Sequence, residues 1–399
     1  VTRHLLKLVW KRKRSNFLLT LEIFISFLVV FAVATMAASM IGRWRKPLGF
    51  DYQNVWIARI AFPPAAAMDE MSPEHRSVLN SLVRETRTFA EVESVAGDQL
   101  PPFGNGTWTS TLQHDGRSYE ITSDTITDDF AKVMKLHVLD GRWFAAEDET
   151  ATVEPIVVDA DVARAMFGTV NVAGKTVSAG PDEPPLRIVG VIAPYRKDGE
   201  LSADSVNMVF HRLSLTAAKG RVGRNMVLRV RPGTPADFEQ TLIKRLHAIQ
   251  PEYPVRVQHM DQQREVTNKM FMAPAIVGGT VALFLMIMVA LGLSGVLWQN
   301  VTRRTRELGL RRALGATGGS VHRQIIAEVA LLTTLAVIIG VVIVAQLPIL
   351  GLFKLVTPSS YTIGIVGALA TIYGLTLLCG LYPSWLAGRV QPAQALHYE

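Results

Sequence analysis

Four long apolar blocks constrain this chain more than any other feature. They occupy residues 17–41, 273–298, 325–352 and 362–386. About 20 predominantly apolar residues suffice to cross a bilayer as a helix, so each block predicts a transmembrane span. Hydrophobic residues make up 49% of the 399, but outside these blocks the chain reads as ordinary soluble sequence. Residues 42–272, between the first and second blocks, form one long soluble insert. The predicted fold class is membrane α-helical, with four transmembrane helices and a large α+β extracytoplasmic domain.

The first block could be mistaken for a secretory leader, because it follows basic residues and holds Ala34, Ala37 and Ala38. Its apolar run is longer than the roughly 7–15 residues of a leader core, so it is read as an uncleaved span. Residues 1–16 alternate Leu5, Leu6, Leu8, Val9 and Trp10 with Lys7 and Lys11. That pattern suits a short amphipathic helix on the cytoplasmic face.

The formal charge of +7 is concentrated beside the spans, at Lys7 and Lys11–Arg14, and again at Arg303, Arg304, Arg306, Arg311, Arg312 and Arg323. This is the positive-inside arrangement rather than a nucleic-acid surface. Four spans return both termini to one side, and the basic arm and loop assign that side to the cytoplasm. Arg43, Arg45 and Lys46 oppose the assignment, but they precede a long domain whose translocation depends little on charge. The single cysteine, Cys379, lies in the fourth block, so no intrachain disulfide can form. Membrane lipids are the expected surroundings, and nucleic acid is not an expected partner.

The soluble insert alternates strand and helix patterns. Val55–Phe62 and Asn225–Val230 read as strands, each followed by an amphipathic helix, Pro73–Ala90 and Pro235–Gln250. Val255–His259 adds a closing strand. Two such units separated by an insertion predict a discontinuous ferredoxin-like part, about 50–130 and 215–260. The β-rich insertion is expected at about 131–214. Thr107–Leu112 and Ser118–Thr122 flank Asp115-Gly116, a hairpin signal. Residues 261–272 pass from polar to apolar without a break and predict a stalk helix running into the second span, with Pro274 a candidate kink.

No nucleophile stands beside a base, and the histidines show no metal-ligand spacing, so neither a catalytic nor a metal site is expected. Asp128-Asp129 read as caps before Phe130. Glu22 and Glu328 are intramembrane carboxylates, functional candidates by default, though near an interface a basic partner would account for each. Gly278 with Ala282, and Gly364 with Ala368, permit close helix contact within one chain or across a dimer. Residues 299–324 form a cytoplasmic loop and 387–399 a tail. Within the loop, Leu308, Leu310, Ala313 and Leu314 interrupt Arg306, Arg311 and Arg312. The positive-inside rule explains the arginines but not the apolar residues, which need a groove.

The loop segment Asn300-Val-Thr-Arg-Arg-Thr-Arg-Glu-Leu-Gly-Leu-Arg-Arg-Ala-Leu-Gly-Ala316 resembles that of MacB/FtsX-type ABC transporter permeases. The tail Tyr382-Pro-Ser-Trp-Leu-Ala-Gly-Arg-Val-Gln-Pro-Ala-Gln-Ala-Leu396 does so too. In the insert, Leu139-Asp-Gly-Arg-Trp-Phe144, Val157–Gly168, Val172-Ala-Gly-Lys-Thr-Val177 and Arg187-Ile-Val-Gly-Val-Ile192 resemble the MacB-type periplasmic core. The resemblance implies the MacB-like (type VII ABC exporter) architecture in a bacterial inner membrane.

It also implies partners: two copies of an ABC ATPase subunit, a second permease in a homo- or heterodimer, and in pumps of this kind a periplasmic adaptor and outer-membrane channel. Arg306, Glu307, Leu308, Gly309, Leu310, Arg311, Arg312, Ala313, Leu314 and Gly315 would dock the ATPase. The sequence contains no GxxxxGK followed by Ser or Thr, so the chain is expected to bind no cofactor itself. ATP and Mg would sit on a separate ATPase. The implied activity is mechanotransmission, with export of a drug, peptide or lipid-linked molecule. LolC-like lipoprotein extraction and FtsX-like control of a cell-wall hydrolase are the alternatives.

Overall fold

The computed structural model describes residues 13–62, 73–104, 106–180, 183–202, 207–214, 223–303, 318–351 and 356–388. They divide into a membrane unit and a soluble unit, the latter Arg43–Phe271.

Among the described residues, four helices are long and apolar enough to cross a membrane. They are α1 (Lys13–Trp44), α6 (Met260–Arg303), α7 (Gly318–Gln346) and α8 (Pro358–Gly388). Ile23, Phe27 and Phe31 of α1 share a core with Val289 and Leu293 of α6, Val337 of α7 and Ile372 of α8. Lipid offers no hydrophobic drive for helices to associate, so close packing and polar bonds must hold them. Two glycines show the closeness. A Cβ on Gly340 would overlap the Phe27 ring, and one on Gly364 would overlap Thr35. Thr333 and Thr376 share a buried hydroxyl bond of 3.1 Å, and Thr334 meets the Tyr373 hydroxyl at 3.0 Å. Gly278 lies against Val33, and Ala282 and Ala368 are buried. Both small-residue pairs therefore serve packing inside one chain.

The soluble unit is built on one mixed sheet. Its first part joins β1 (Val55–Ile60), β2 (Val92–Asp98), β10 (Asn225–Val230) and β11 (Val255–His259) in the antiparallel order β11-β1-β10-β2. Helices α2 (Pro73–Thr86) and α5 (Phe238–Ile249) cover one face. Strand alternation sends Trp56, Ala58 and Ile60 to that face, where they meet Leu79, Leu82, Leu242 and Leu246. Val55 and Ile57 point the other way, into a second core around Phe103, Phe130 and Phe210.

The second part holds β3 (Thr109–His114), β4 (Arg117–Ile126), β5 (Val138–Gly141), β6 (Glu154–Asp159), β7 (Thr176–Ser178), β8 (Pro185–Ile192) and β9 (Met208–Arg212). The short helix α4 (Ala160–Phe167) packs on it, whereas α3 (Phe130–Met134), between β4 and β5 in the chain, lies against β2 and β10 of the first part. Asp115 and Gly116 both take positive φ, 49° and 72°, as a tight hairpin turn between β3 and β4 requires.

The two parts divide at a different place from the one read in sequence. The β-rich part begins with β3, not near residue 131. Leu112 of β3 and Ile121 of β4 bury in the same core as Ile156, Val158, Ile188 and Val209. β4 also runs parallel to β9 over five residue pairs, whereas it meets β2 only at Asp98–Ile126.

The family-like segments have local physical reasons. Val157–Gly168 is a strand end, a cap, a helix and a stop: Asp159 accepts from the Val162 N–H at 2.9 Å, and Gly168 closes α4 at φ 72°. In the segment from Leu139 to Phe144, Asp140 accepts from the Ala173 N–H. Arg142 grips Asp148 with two bonds of 2.7 Å, and Trp143 donates to the Asp128 carbonyl. Asp128 and Asp129 do not cap α3. Asp129 makes no cap bond, and the two carboxylates instead pair with Arg212 and Arg87.

Candidate functional site

The expected ATPase-docking residues, Arg306–Gly315, lie outside the described residues. Their flanks are described: α6 ends at Arg303 and α7 begins at Gly318. Glu22 stands on α1 with its carboxylate against the backbone of Gly292 on α6, and no described Lys or Arg pairs with it. The basic partner expected for it is thus not found among the described residues. Glu328 is half-buried on α7. Among the described residues no three His, Cys, Asp or Glu side chains gather as metal ligands.

α6 is the element that could carry motion. It holds 44 residues with Pro274 inside it and no break in the helix. At 1.5 Å per residue it is about 66 Å long, roughly twice the thickness of a hydrocarbon core. Its first turns belong to the soluble unit and are clamped there by groups the sequence did not reveal.

The clamp centres on the loop after β8. Arg196 is 4% exposed. Its guanidinium donates to the carbonyls of Arg43 at 2.8 Å, Lys46 at 3.4 Å and Glu200 at 2.7 Å. The chain leaving α1 is thereby tied to this loop. Glu200 accepts from Arg264 of α6 at 2.6 Å and from Asn268 at 3.4 Å. Arg264 also stacks its guanidinium over Tyr52, 4.7 Å from the ring centre, and over Trp44 at 5.5 Å. One turn apart on α6, Gln263 and Thr267 both donate to the carbonyl of Phe103, at 3.1 and 3.0 Å. Phe103 is buried and takes φ 60°, an uncommon conformation held by this packing. Bonds to charged groups are each worth about 1.5–3 kcal/mol, so the α6 root is fixed firmly to the α1 exit and to both parts of the sheet.

In sequence, Arg196-Lys-Asp-Gly-Glu200 looks like a solvated turn. Only the apolar flanks Tyr195 and Leu201, both buried, hint otherwise.

Beside the clamp, Asp98 and Asp124 meet where β2 joins β4. Both are fully buried and accept from the Leu100 N–H, at 2.8 and 3.1 Å. Burial, and then the charge of Asp124, hold the Asp98 carboxyl well above the usual range. Burial pushes Asp124 up to about 7 despite the nearby Lys197. A carboxyl raised in the folded state binds more protons there than in the unfolded chain. Its contribution is full below about pH 4 and is lost as pH rises through about 7. The soluble unit is therefore expected to be more stable at pH 5 than at pH 8. Asp124→Asn should reduce that difference, leaving the part that the buried Asp98 contributes. Unfolding temperatures at the two pH values test this, and an unchanged difference in the variant refutes it.

Residues 17–245 match the family profile described as the MacB-like periplasmic core domain, and residues 279–392 match the FtsX-like permease C-terminal family. A macrolide export ATP-binding/permease protein MacB from Azoarcus sp. (strain BH72) is 25% identical over 380 residues, 93% of this chain and 56% of that protein. The pyoverdine export ATP-binding/permease protein PvdT of Pseudomonas aeruginosa is 24% identical over 276 residues, 67% of this chain and 41% of that protein. The chain thus spans about half the length of the curated relatives it matches. The crystal structure of the periplasmic region of MacB from Actinobacillus actinomycetemcomitans covers 54% of this chain and 94% of its own, at TM-score 0.39 and 14% identity. With a MacB-like periplasmic core matched over more than half its residues and an FtsX-like region after it, the chain belongs to the MacB/FtsX-type family of ABC transporter permeases.

Proposed function

We propose that this chain is the permease subunit of an ABC exporter in a bacterial inner membrane. ATP hydrolysis by a partner ATPase on the cytoplasmic side moves the membrane helices, and α6 passes that motion to the soluble unit. The observation that carries the reading is the unbroken α6, clamped at its root by Arg264, Gln263, Thr267 and Asn268. Helical continuity from that anchor into the second span gives displacement of the span a covalent, hydrogen-bonded route to the root of α6. The relatives named for macrolide and pyoverdine export support export as the outcome, without naming the molecule moved.

In this reading both termini and residues 304–317 face the cytoplasm, where two ATPase copies dock on a permease dimer. An outward-facing soluble unit could hand its substrate to an adaptor and outer channel.

The test interrupts that continuity. Two glycines inserted between Met272 and Ala273 weaken the helix, at about 1 kcal/mol per glycine, and turn everything beyond them by about 200°. Export is expected to fall to background while the ATPase still co-purifies with the chain. Export at the wild-type rate would overturn the proposal. Labelling a cysteine at the exposed Asp115 from outside the inner membrane checks the orientation, and labelling only from inside would reverse it.

A further inference from the structure

Sheet register places two like charges side by side. Arg59 of β1 stands directly across from Arg256 of β11, on the face turned away from α2 and α5. Like charges directly opposite in an antiparallel pair are destabilising. Among the described residues neither guanidinium has a carboxylate partner. Arg59 is instead aimed by Asn225, whose side-chain oxygen accepts from its Nε at 3.4 Å. Asn225 is buried and is fixed in turn by donating to the carbonyls of Asp98 and Gln99.

Both arginines line a cavity of about 630 Å³ in the soluble unit. Arg224 and Lys197 add two more cationic side chains to its wall, and no Asp or Glu appears among the described residues that line it. The Lys197 ammonium is almost wholly buried, donates to the carbonyls of Gly104 and Gly106 and pairs with Asp198 at 3.3 Å, so the unpaired charge of the wall rests on Arg59 and Arg256. Leu100, Pro101 and Trp108 add apolar side chains to the wall, and Gln99, Thr107 and Asn225 add polar ones. Cavities of about 300–1,000 Å³ that combine an apolar wall with a few converging polar groups are the usual form of a small-molecule site.

We propose that this cavity binds an amphipathic anion. Its carboxylate or phosphate head would bridge Arg59 and Arg256, and its acyl or aryl body would lie against Leu100, Pro101 and Trp108. Guanidinium groups suit such heads because their planar fork donates in pairs to two oxygens. A bridging anion also turns the repulsion between the two strands into attraction. The head-group chemistry is common to a soluble amphiphile and to an anionic lipid.

The test uses the full chain in phosphatidylcholine nanodiscs, titrated calorimetrically with octyl phosphate below its micellar concentration, with empty discs as the blank. Saturable binding of one probe per chain is expected. It should weaken at least tenfold in the Arg59→Gln, Arg256→Gln double variant, and octanol should bind at least tenfold more weakly than the phosphate. No binding above the blank, equal binding by the double variant, or equal binding of octanol would each overturn the proposal.

Without ligand, Arg59→Gln should leave the unfolding temperature unchanged or raise it. A fall would mean that the arginine serves the fold, and would also overturn the proposal. Discs containing phosphatidylglycerol separate the two sources. Competition marks a lipid head group, unchanged binding marks a soluble ligand, and either upholds the site. No ATPase is present in the titration, so its failure leaves the coupling reading untouched, and failure of coupling leaves the site untouched.

Discussion

On the proposed docking of a partner ATPase at Arg306–Gly315, Leu310→Asp is expected to release that ATPase and reduce export to background. The segment from Arg306 to Gly315 mixes four arginine or glutamate charges with Leu308, Leu310, Ala313 and Leu314. Exposed ion pairs contribute only about 0–1 kcal/mol. Burying one leucine contributes about 1.5–3 kcal/mol, and interface energy concentrates in a few such anchors. The aspartate loses that contribution and adds the desolvation of a carboxylate in an apolar groove, several kcal/mol more. Every 1.4 kcal/mol is tenfold in affinity, so a loss of a hundredfold or more follows. Arg303→Ala, at the edge of the segment, should change affinity less than fivefold. Co-purification of the ATPase, its hydrolysis rate and export in cells give the answer. If Leu310→Asp retains partner and export at wild-type level, the loop only sets topology and does not dock.

The second large effect belongs to Arg229→Met. Arg229 is 2% exposed, on the face of β10 turned toward α3. Its guanidinium donates to the carbonyls of Val133, Asp51 and Gln53, each at 2.7 Å, and meets the Asp51 carboxylate at 3.4 Å. One side chain thus closes the end of α3 and the loop before β1. Methionine fills similar space but leaves three carbonyls without their donor. Breaking a buried charged network by removing one member costs about 3–5 kcal/mol. Arg229→Lys should recover only part, because an ammonium cannot reach three carbonyls from one plane. Denaturant titration of the full chain, following the transition of the soluble unit, measures the loss. A loss below about 1 kcal/mol would show that the network is not the tie described.

The four spans were legible because length and hydropathy alone decide them. Helices α2 and α5 were legible because Val78, Leu79, Leu82 and Leu242, Leu246 recur at helical spacing and bury as that spacing demands. The start of the β-rich part was not legible. Leu112 and Ile121 alternate as any half-buried strand would, and nothing in alternation says which core a strand joins. Nothing in sequence singles out Arg229 and Arg196, because their partners are mainly carbonyls, which every residue carries. The cavity was hidden for a related reason. Arg59 and Arg256 become neighbours only through the register of β1 with β11.

The place of β1 in its sheet bears on how the protein is made. β1 lies between β10 and β11, yet it is the first strand of the soluble unit to be synthesised and they are the last. A nascent chain threading outward behind α1 would present β1 with neither neighbour until almost the whole unit has crossed. The strands from β3 to β9 can meanwhile close on one another, since their partners all lie within that stretch apart from the single β2–β4 contact. Long-range pairing of this kind is slow, and it leaves an unpaired strand edge open to other chains. Until β10 and β11 have crossed, β1 has neither of its sheet neighbours and β2 has only its single contact with β4.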